Sequence, residues 1–327
     1  MAKILPLAAA LAFAGAAPQP ATTWACATLN STAIGRSTTY RRLNCTSTPV
    51  PVFGAAGPLI INVIEAPLGA PGVRLLPIAT APPAGAAPSA VQLMPLDRIV
   101  AATPACVGAV NGGYFWRLDV GSFFDGVCLF KLRGDAEKRA AASQPNSGIA
   151  DGAIVSNGVL LGSNCDCAGN SRPAVLSING TASRVDVLHR GDAPPAGLAL
   201  DAISAGPNLV TTNSSGTFVD IPSDDDNIGN ILEHSSNTAV GLRADGTAVL
   251  VTIDGYDGCP PLNPTCGANA FTFAYLMRDY FNCTTALNMD QGGSTTMWVR
   301  GAAGNGVVSN PGAGARNIYG GLCVVEE

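Results

Sequence analysis

Histidines and charged side chains are scarce in this sequence. Of its 327 residues, 13% are charged and two are histidines, His189 and His234, whereas about 25% of residues are charged in an ordinary soluble domain. Two histidines are too few to supply the ligands of a typical zinc site, and they offer few candidates for the base that activates a catalytic serine. The Gly-x-Ser-x-Gly motif of serine hydrolases does not occur either. We therefore expect no metal site and no cofactor, and we expect His234 to lie in an exposed loop.

Clusters of basic residues and long apolar runs are also absent. The formal net charge is −5, and no run of basic residues is longer than a pair such as Arg41-Arg42. A nucleic-acid surface needs clustered Lys and Arg, so no nucleic-acid partner is expected. Gly and Pro interrupt every apolar stretch before it reaches the roughly 20 residues of a transmembrane helix, so no membrane span is expected.

The amino terminus has the composition of a signal peptide. A short apolar stretch follows Lys3 and ends in small residues at Ala14-Gly15-Ala16, as is typical of a cleavable secretory signal. This pattern predicts secretion or residence in the lumen of the secretory pathway. The expected segments are a signal peptide at 1–17, a disulfide-pinned leader at 18–57 and one domain at 58–327.

Ten cysteines, an even number, predict disulfides in a chain that enters an oxidising compartment. The spacing of Cys165-Asp166-Cys167 is tighter than that of a zinc knuckle, which disfavours a metal. The sequence leaves the connectivity open, and short loops suggest Cys26 with Cys45, Cys106 with Cys128 and Cys259 with Cys266. Sequons for N-glycosylation, consistent with a secreted glycoprotein, occur at Asn30, Asn44, Asn179, Asn213 and Asn282.

Short apolar and β-branched segments alternate with Gly, Pro and Asn-Gly turns over most of the chain. Leu59–Ile64 lies between prolines and predicts a strand, and Thr238–Leu242 with Ala248–Ile253 predicts a β-hairpin. The strongest helical pattern is Phe271–Phe281. The expected fold class is α+β, with mostly β mixed sheets, few helices and stabilising disulfides.

Four motifs in order resemble those of the phosphodiester glycosidase family. Asn111-Gly112-Gly113-Tyr114-Phe115 is similar to that family's Asn-Gly-x-Phe/Tyr-Phe, and Gly206-Pro207-Asn208-Leu209-Val210 is similar to its Gly-Pro-x-Leu-Val. Thr238–Gly255 and Ala286–Met297 resemble the two remaining motifs, the last reading Ala-Leu-Asn-Met-Asp-Gln-Gly-Gly-Ser-Thr-Thr-Met here. The resemblance covers about Leu59–Val325 and implies that the protein is a glycosidase.

Two positions depart from the family pattern. Asn237 stands where the family usually has Arg before Thr-Ala-Val-Gly, and Gln291 replaces the first Gly of the Asp-Gly-Gly-Gly run. Arg offers a charged, bidentate contact to phosphate that a neutral amide lacks, so weaker phosphodiester recognition is expected. Arg316 falls where the family tends to place another Arg, which implies that an anion contact is retained.

Asp290 and Asp254 are the candidate catalytic pair. Each ends an apolar strand before glycine-containing sequence, and glycoside hydrolysis commonly uses two carboxylates that flank the scissile bond. From the residues alone, each Asp could equally be an ordinary turn residue. The candidate substrate-binding residues are Asn111, Gly112, Gly292, Gly293, Ser294, Thr295 and Arg316.

The expected function is hydrolysis of a sugar-1-phosphodiester or a related O-linked glycoside, with a carbohydrate or glycan-phosphate as substrate. A second hypothesis is a secreted, non-catalytic protein that binds carbohydrate or cell wall on the same scaffold. Product release from a sugar-1-phosphodiester separates the two. The natural substrate, the stereochemical outcome and the oligomeric state are left open by the sequence.

Overall fold

The computed structural model describes residues 21–50, 54–55, 57–80, 90–117, 146–164, 174–179, 182–187, 201–221, 234–255, 267–312 and 315–327. Most of these residues lie in strands. The strands are β1 (Trp24–Ala33), β2 (Thr39–Ser47), β3 (Pro49–Val50), β4 (Gly54–Ala55), β5 (Leu59–Pro67), β6 (Val73–Ala79), β7 (Ala90–Gln92), β8 (Cys106–Asn111), β9 (Phe115–Arg117), β10 (Ser147–Ser156), β11 (Val159–Asn164), β12 (Ala174–Asn179), β13 (Ala182–Val187), β14 (Asp201–Ala205), β15 (Asn208–Asn213), β16 (Gly216–Val219), β17 (Asn237–Arg243), β18 (Thr247–Ile253), β19 (Cys283–Asn288), β20 (Met297–Val299) and β21 (Gly320–Glu326).

Three larger sheets and one two-stranded ribbon organise these strands. The largest sheet has the order β1-β2-β5-β18-β17-β19-β15-β16, and a four-stranded sheet has the order β20-β8-β21-β6. A seven-stranded sheet contains β11-β10-β14-β12-β13 with β7 and β9 also paired to β10, and β3 pairs with β4. The expected mostly β, α+β class is confirmed. Every pairing found between the strands given above is antiparallel, so the sheets are not of mixed direction there.

Helices are short and few in the described residues. Helix α1 spans Leu96–Val100, and α2 spans Ala270–Tyr275 and continues as a π-helical turn over Leu276–Tyr280. The side chain of Asn269 caps α2, because its Oδ1 accepts a hydrogen bond from Thr272 N at 2.8 Å. The predicted helix at Phe271–Phe281 is therefore confirmed in position.

The eight-stranded sheet has an apolar core on each face, because successive side chains of a strand point to opposite sides. On one face Val240, Leu250 and Leu287 pack in a cluster with residues of the four-stranded sheet. On the other face Ala239, Val251 and Ala286 cluster with Phe273 of α2. The central strands are consequently buried on both sides, which explains their continuous apolar sequences.

The β1–β2 hairpin adds two strands to the large sheet. Strand β2 pairs with β5 from Thr39 opposite Glu65 to Cys45 opposite Leu59. Cys26 and Cys45 are disulfide-bonded within the hairpin, which confirms that predicted pair. The sequence segment expected as a leader thus contributes hydrogen-bonded strands beside the domain's first predicted strand.

The prediction that Cys106 pairs with Cys128 is wrong. Cys106 is bonded to Cys323, with a Cα–Cα distance of 5.8 Å and a sequence separation of 217. Their strands β8 and β21 are neighbours in the four-stranded sheet. The prediction was based only on the short sequence distance between Cys106 and Cys128. Cys128 and the predicted Cys259–Cys266 pair lie outside the described residues. Cys283 is a free, buried thiol, and burial raises its pKa to about 12.

The described part of the chain contains neither a membrane-length helix nor a metal cluster. No helix in these ranges is long and apolar enough to cross a membrane. Within the same ranges, no group of three or more His, Cys, Asp or Glu residues could hold a metal ion.

Candidate active site

Asp290 lies two residues beyond the end of β19, an interior strand of the large sheet. Its backbone N–H donates to Gly112 O at 3.1 Å, and its Oδ1 accepts from Gln291 N at 2.9 Å. The residue is 5% exposed. The Gly112 contact ties Asp290 to the loop after β8, so two sheets meet at this carboxylate.

Asn111 fixes this meeting point through its amide side chain. Its Nδ2 donates to Asp290 O at 2.8 Å, and its Oδ1 accepts from Thr238 Oγ1 at 2.6 Å and from Thr296 N at 3.0 Å. Asn111 is fully buried. The side chain of this predicted substrate-binding residue is therefore bonded to protein groups and orients the Asp290 backbone.

The glycine-rich segment after Asp290 forms a 3₁₀ turn, Gly292–Ser294. Gly292 has φ of +64°, a conformation that glycine adopts readily. Its N–H donates to Ser236 O, and Ser236 Oγ donates to Gly292 O at 2.8 Å. The N–H of Gly292, a predicted substrate-binding residue, is thus bonded to the segment that precedes β17.

Arg316 joins the same turn from the segment before β21. Its backbone N–H donates to Gly293 O at 2.7 Å, and its Nη1 lies 3.4 Å from Ser294 Oγ. Thr295 follows the turn and is fully buried. The seven predicted substrate-binding residues and Asp290 therefore form one connected group.

A side chain is not tolerated where the loop after β8 passes the seven-stranded sheet. A Cβ on Gly113 would lie 2.1 Å from Ser204 O, and one on Gly112 would lie 3.0 Å from Gly320 O. The Gly113 distance explains why glycine is needed at that position, whereas the Gly112 distance is a tight contact that requires the neighbouring backbone to shift by a few tenths of an ångström. The close approach lets backbone from three sheets converge beside Asp290.

Asp254 lies just beyond the end of β18 and has its own set of partners. Its Oδ1 accepts from Asn62 Nδ2 at 2.9 Å and from Asn310 N at 2.8 Å, and its Oδ2 lies 3.2 Å from Arg42 Nη2. Burial raises the pKa of Asp254, while the Asn310 N–H, the Arg42 charge and the Asn62 amide oppose that rise. A carboxyl with a raised pKa is suited to proton transfer.

Asp254 and Asp290 emerge at the same edge of the sheet. Strand β17 lies between β18 and β19 and is antiparallel to both, so β18 and β19 run in the same direction. Two strand spacings separate them by about 10 Å. Asp254 is consequently a neighbour of the Asp290 group, and no direct hydrogen bond links the two carboxylates in the described contacts.

A short series of contacts connects the two positions. Thr296 N donates to Asn111, and the next residue, Met297, donates its N–H to Ser309 Oγ at 2.8 Å. Asn310 then donates its N–H to Asp254. These contacts therefore link Asn111, which holds the Asp290 backbone, to Asn310, which holds the Asp254 carboxylate.

Sequence reasoning missed the side chains that hold these residues in place. Thr238 and Ser236 bond to the Asn111 and Gly292 positions, and Asn62 and Arg42 bond to Asp254. One signal was available, since Asn62 is a lone amide inside the apolar strand Leu-Ile-Ile-Asn-Val-Ile. Arg42 carried no such signal.

Two further polar residues near the start of β17 are buried. Asn237 is fully buried and donates its Nδ2 to Ala268 O at 2.5 Å, so a longer Arg side chain has no room there without displacement. His234 is 5% exposed, so the expectation of an exposed loop histidine is wrong. Burial lowers the pKa of His234.

Comparisons with known proteins bear on this arrangement. The model of the phosphodiester glycosidase family matches residues 105–325. No protein with a curated description matches the chain.

Two solved structures share the fold. The catalytic domain of zebrafish N-acetylglucosamine-1-phosphodiester alpha-N-acetylglucosaminidase, auto-inhibited by its pro-peptide, has a TM-score of 0.51 and 21% identity over 95% of this chain and 86% of that one. A protein from Synechocystis has a TM-score of 0.51 and 14% identity over 89% of this chain and 62% of that one.

Proposed function

Because the chain belongs to the phosphodiester glycosidase family, we propose that it is a hydrolase that cleaves a sugar from a phosphodiester or a related O-linked group. The observation that carries this proposal is the placement of Asp290 just beyond the end of β19, between Asn111 and the Gly292–Ser294 turn. Where a strand ends beside a glycine-rich turn, a ligand can approach the backbone closely. A carbohydrate or glycan-phosphate is the proposed substrate.

In the proposed reaction the two carboxylates divide the work of breaking a glycosidic bond. Asp254 donates a proton to the leaving oxygen, because burial raises its pKa and favours the protonated form. Asp290 acts on the opposite side as base or nucleophile. The separate hydrogen-bond partners of the two residues support these different roles.

Arg316 is the proposed contact for a negatively charged leaving group. Its guanidinium lies beside Ser294 Oγ at the Gly292–Ser294 turn, one short turn from Asp290. An arginine beside a hydroxyl can give charge-assisted hydrogen bonds to phosphate oxygens. Asn237 is buried and neutral, so the proposed site has Arg316 rather than residue 237 as its anion contact.

We expect the purified protein to release reducing sugar from a sugar-1-phosphate ester with a chromogenic aglycone. The physical reason is the pairing of two candidate carboxylates with an arginine near the leaving group. Sugar release is measured alongside release from the uncharged O-aryl glycoside of the same sugar. Turnover of neither substrate, with binding on a glycan array, would contradict the hydrolase and favour the non-catalytic carbohydrate-binding alternative, which the neutral, buried Asn237 supports.

We also propose that the protein is secreted or lumenal, since two disulfides are formed within the described part of the chain and such bonds persist in oxidising compartments. Expressed through a eukaryotic secretory pathway, the protein should carry N-glycans at Asn30 and Asn213. Both residues are exposed, Asn30 on the edge strand β1 and Asn213 at the β15–β16 turn. The N-glycans are measured as the loss of mass when the protein is treated with a glycan-removing amidase. Wild type and Asn30→Gln are compared. Unmodified Asn30 and Asn213 in secreted protein would contradict the prediction.

A further inference from the structure

The carboxyl group of Asp254 is held by three donors from three separate segments. They are Asn62 Nδ2 in β5, Asn310 N in the loop before β21, and Arg42 Nη2 in β2. Only the last carries a charge. Arg42 therefore differs from the other two partners in what it can do to the protonation of Asp254.

Arg42 reaches Asp254 because the strands are in register. Arg42 is opposite Asn62 in the β2–β5 pair, and Asn62 is opposite Thr252 in the β5–β18 pair. Residues directly opposite each other share a face of the sheet. Arg42 and Asn62 consequently lie on the same face of the sheet as Thr252. Asp254 comes two positions after Thr252, just beyond the end of β18, and is therefore within reach of both side chains.

The β1–β2 hairpin that carries Arg42 lies before the residues that the family model matches, 105–325. The Cys26–Cys45 disulfide closes this hairpin, and β2 is hydrogen-bonded to β5 along its length. The disulfide and the pairing with β5 thus hold the hairpin in a fixed position beside Asp254. Its contribution cannot be found from the family motifs, since none of them includes residue 42.

The electrostatic surroundings of Asp254 are asymmetric. Burial raises its pKa, and the Arg42 guanidinium acts in the opposite direction. The other titratable group on β2 that interacts with Asp254 is Tyr40, whose pKa burial raises and whose hydroxyl donates to Asn62 Oδ1 at 3.0 Å. The Asp254 side chain is 12% exposed and that of Arg42 is 40% exposed. Water therefore screens the guanidinium only on its outer side.

We propose that Arg42 is a positioning residue of the active site: it orients the Asp254 carboxyl and keeps its ionised form accessible, so that Asp254 can release a proton as well as hold one. This proposal rests on the proposed function. An acid catalyst works best when its affinity for the proton is near the working pH. Burial without a countercharge would keep the proton on Asp254, and Arg42 supplies that countercharge.

The test compares Arg42→Gln with Arg42→Lys. The Gln variant loses the charge, so the limb of the pH–activity profile that reports Asp254 should move by about 1 pH unit toward higher pH. The Lys variant keeps the charge and should keep the limb near its wild-type position. Arg41→Gln is the matched control, because Arg41 is the adjacent residue on the opposite face and pairs with Glu65 instead.

A second readout does not require activity. The Asp254 carboxyl carbon, assigned by comparison with Asp254→Asn, is titrated by NMR in protein labelled with ¹³C-aspartate. A higher pKa of Asp254 in Arg42→Gln, and an unchanged one in Arg41→Gln, supports the role of Arg42. This result stands even if no glycoside is cleaved, in which case only the proposed function fails. An Asp254 titration that is identical in Arg42→Gln and wild type would overturn the inference.

Discussion

The Asp290→Asn variant is expected to lose about 10²- to 10⁴-fold in kcat, the range typical of removing a proton-transferring side chain. The carboxylate charge is lost, while the amide oxygen of Asn can still accept from Gln291 N. The contacts that place this residue use its backbone, through Gly112 O and the Asn111 side chain. The fold should therefore survive, and the loss should appear in turnover rather than in stability.

Asp245→Asn provides the control for this experiment. Asp245 lies in the exposed turn between β17 and β18 and accepts from Thr247 N, so the same chemical change there should leave kcat at the wild-type value. Initial rates and thermal unfolding of the three proteins are measured together. Equal rates for wild type and Asp290→Asn would remove Asp290 from the chemistry.

Removing the Cys106–Cys323 disulfide is expected to lower the free energy of unfolding by about 5 kcal/mol. The bond links residues 217 positions apart, so its loss releases a very long loop in the unfolded chain. In the folded state the two cysteines belong to adjacent strands of the four-stranded sheet, which carries Asn111 at the end of β8. Urea unfolding of Cys106→Ala/Cys323→Ala measures the effect.

The Cys26→Ala/Cys45→Ala variant tests the physical reason. This bond encloses a separation of 19 residues, and the same loop-entropy argument gives about 3 kcal/mol for its loss. Both variants replace two cysteines with alanine, so the number of atoms removed is the same. A smaller loss for the Cys106–Cys323 variant than for the hairpin variant would contradict the loop-length explanation.

Much of the local structure could be predicted from the sequence because it depends on neighbouring residues. The strand at Leu59, the hairpin of β17 and β18, and the helix near Phe271 follow from apolar periodicity and turn residues. The Asn-Gly-Gly and Asp-Gln-Gly-Gly motifs likewise indicated where polar side chains leave the sheet. These motifs carry the resemblance to the family that the comparison shows.

The sequence by itself determined the strand-rich class, the two aspartates at strand ends and the family, since each is encoded in short continuous segments. Only the tertiary structure decided which distant segments meet. It joined Cys106 to Cys323, bonded Asn111 to Asp290, and brought Arg42 of the β1–β2 hairpin to Asp254. The physical reason is that strand order and register create these contacts between residues about 180 to 217 positions apart, and no local pattern of residues specifies which strand will be the neighbour.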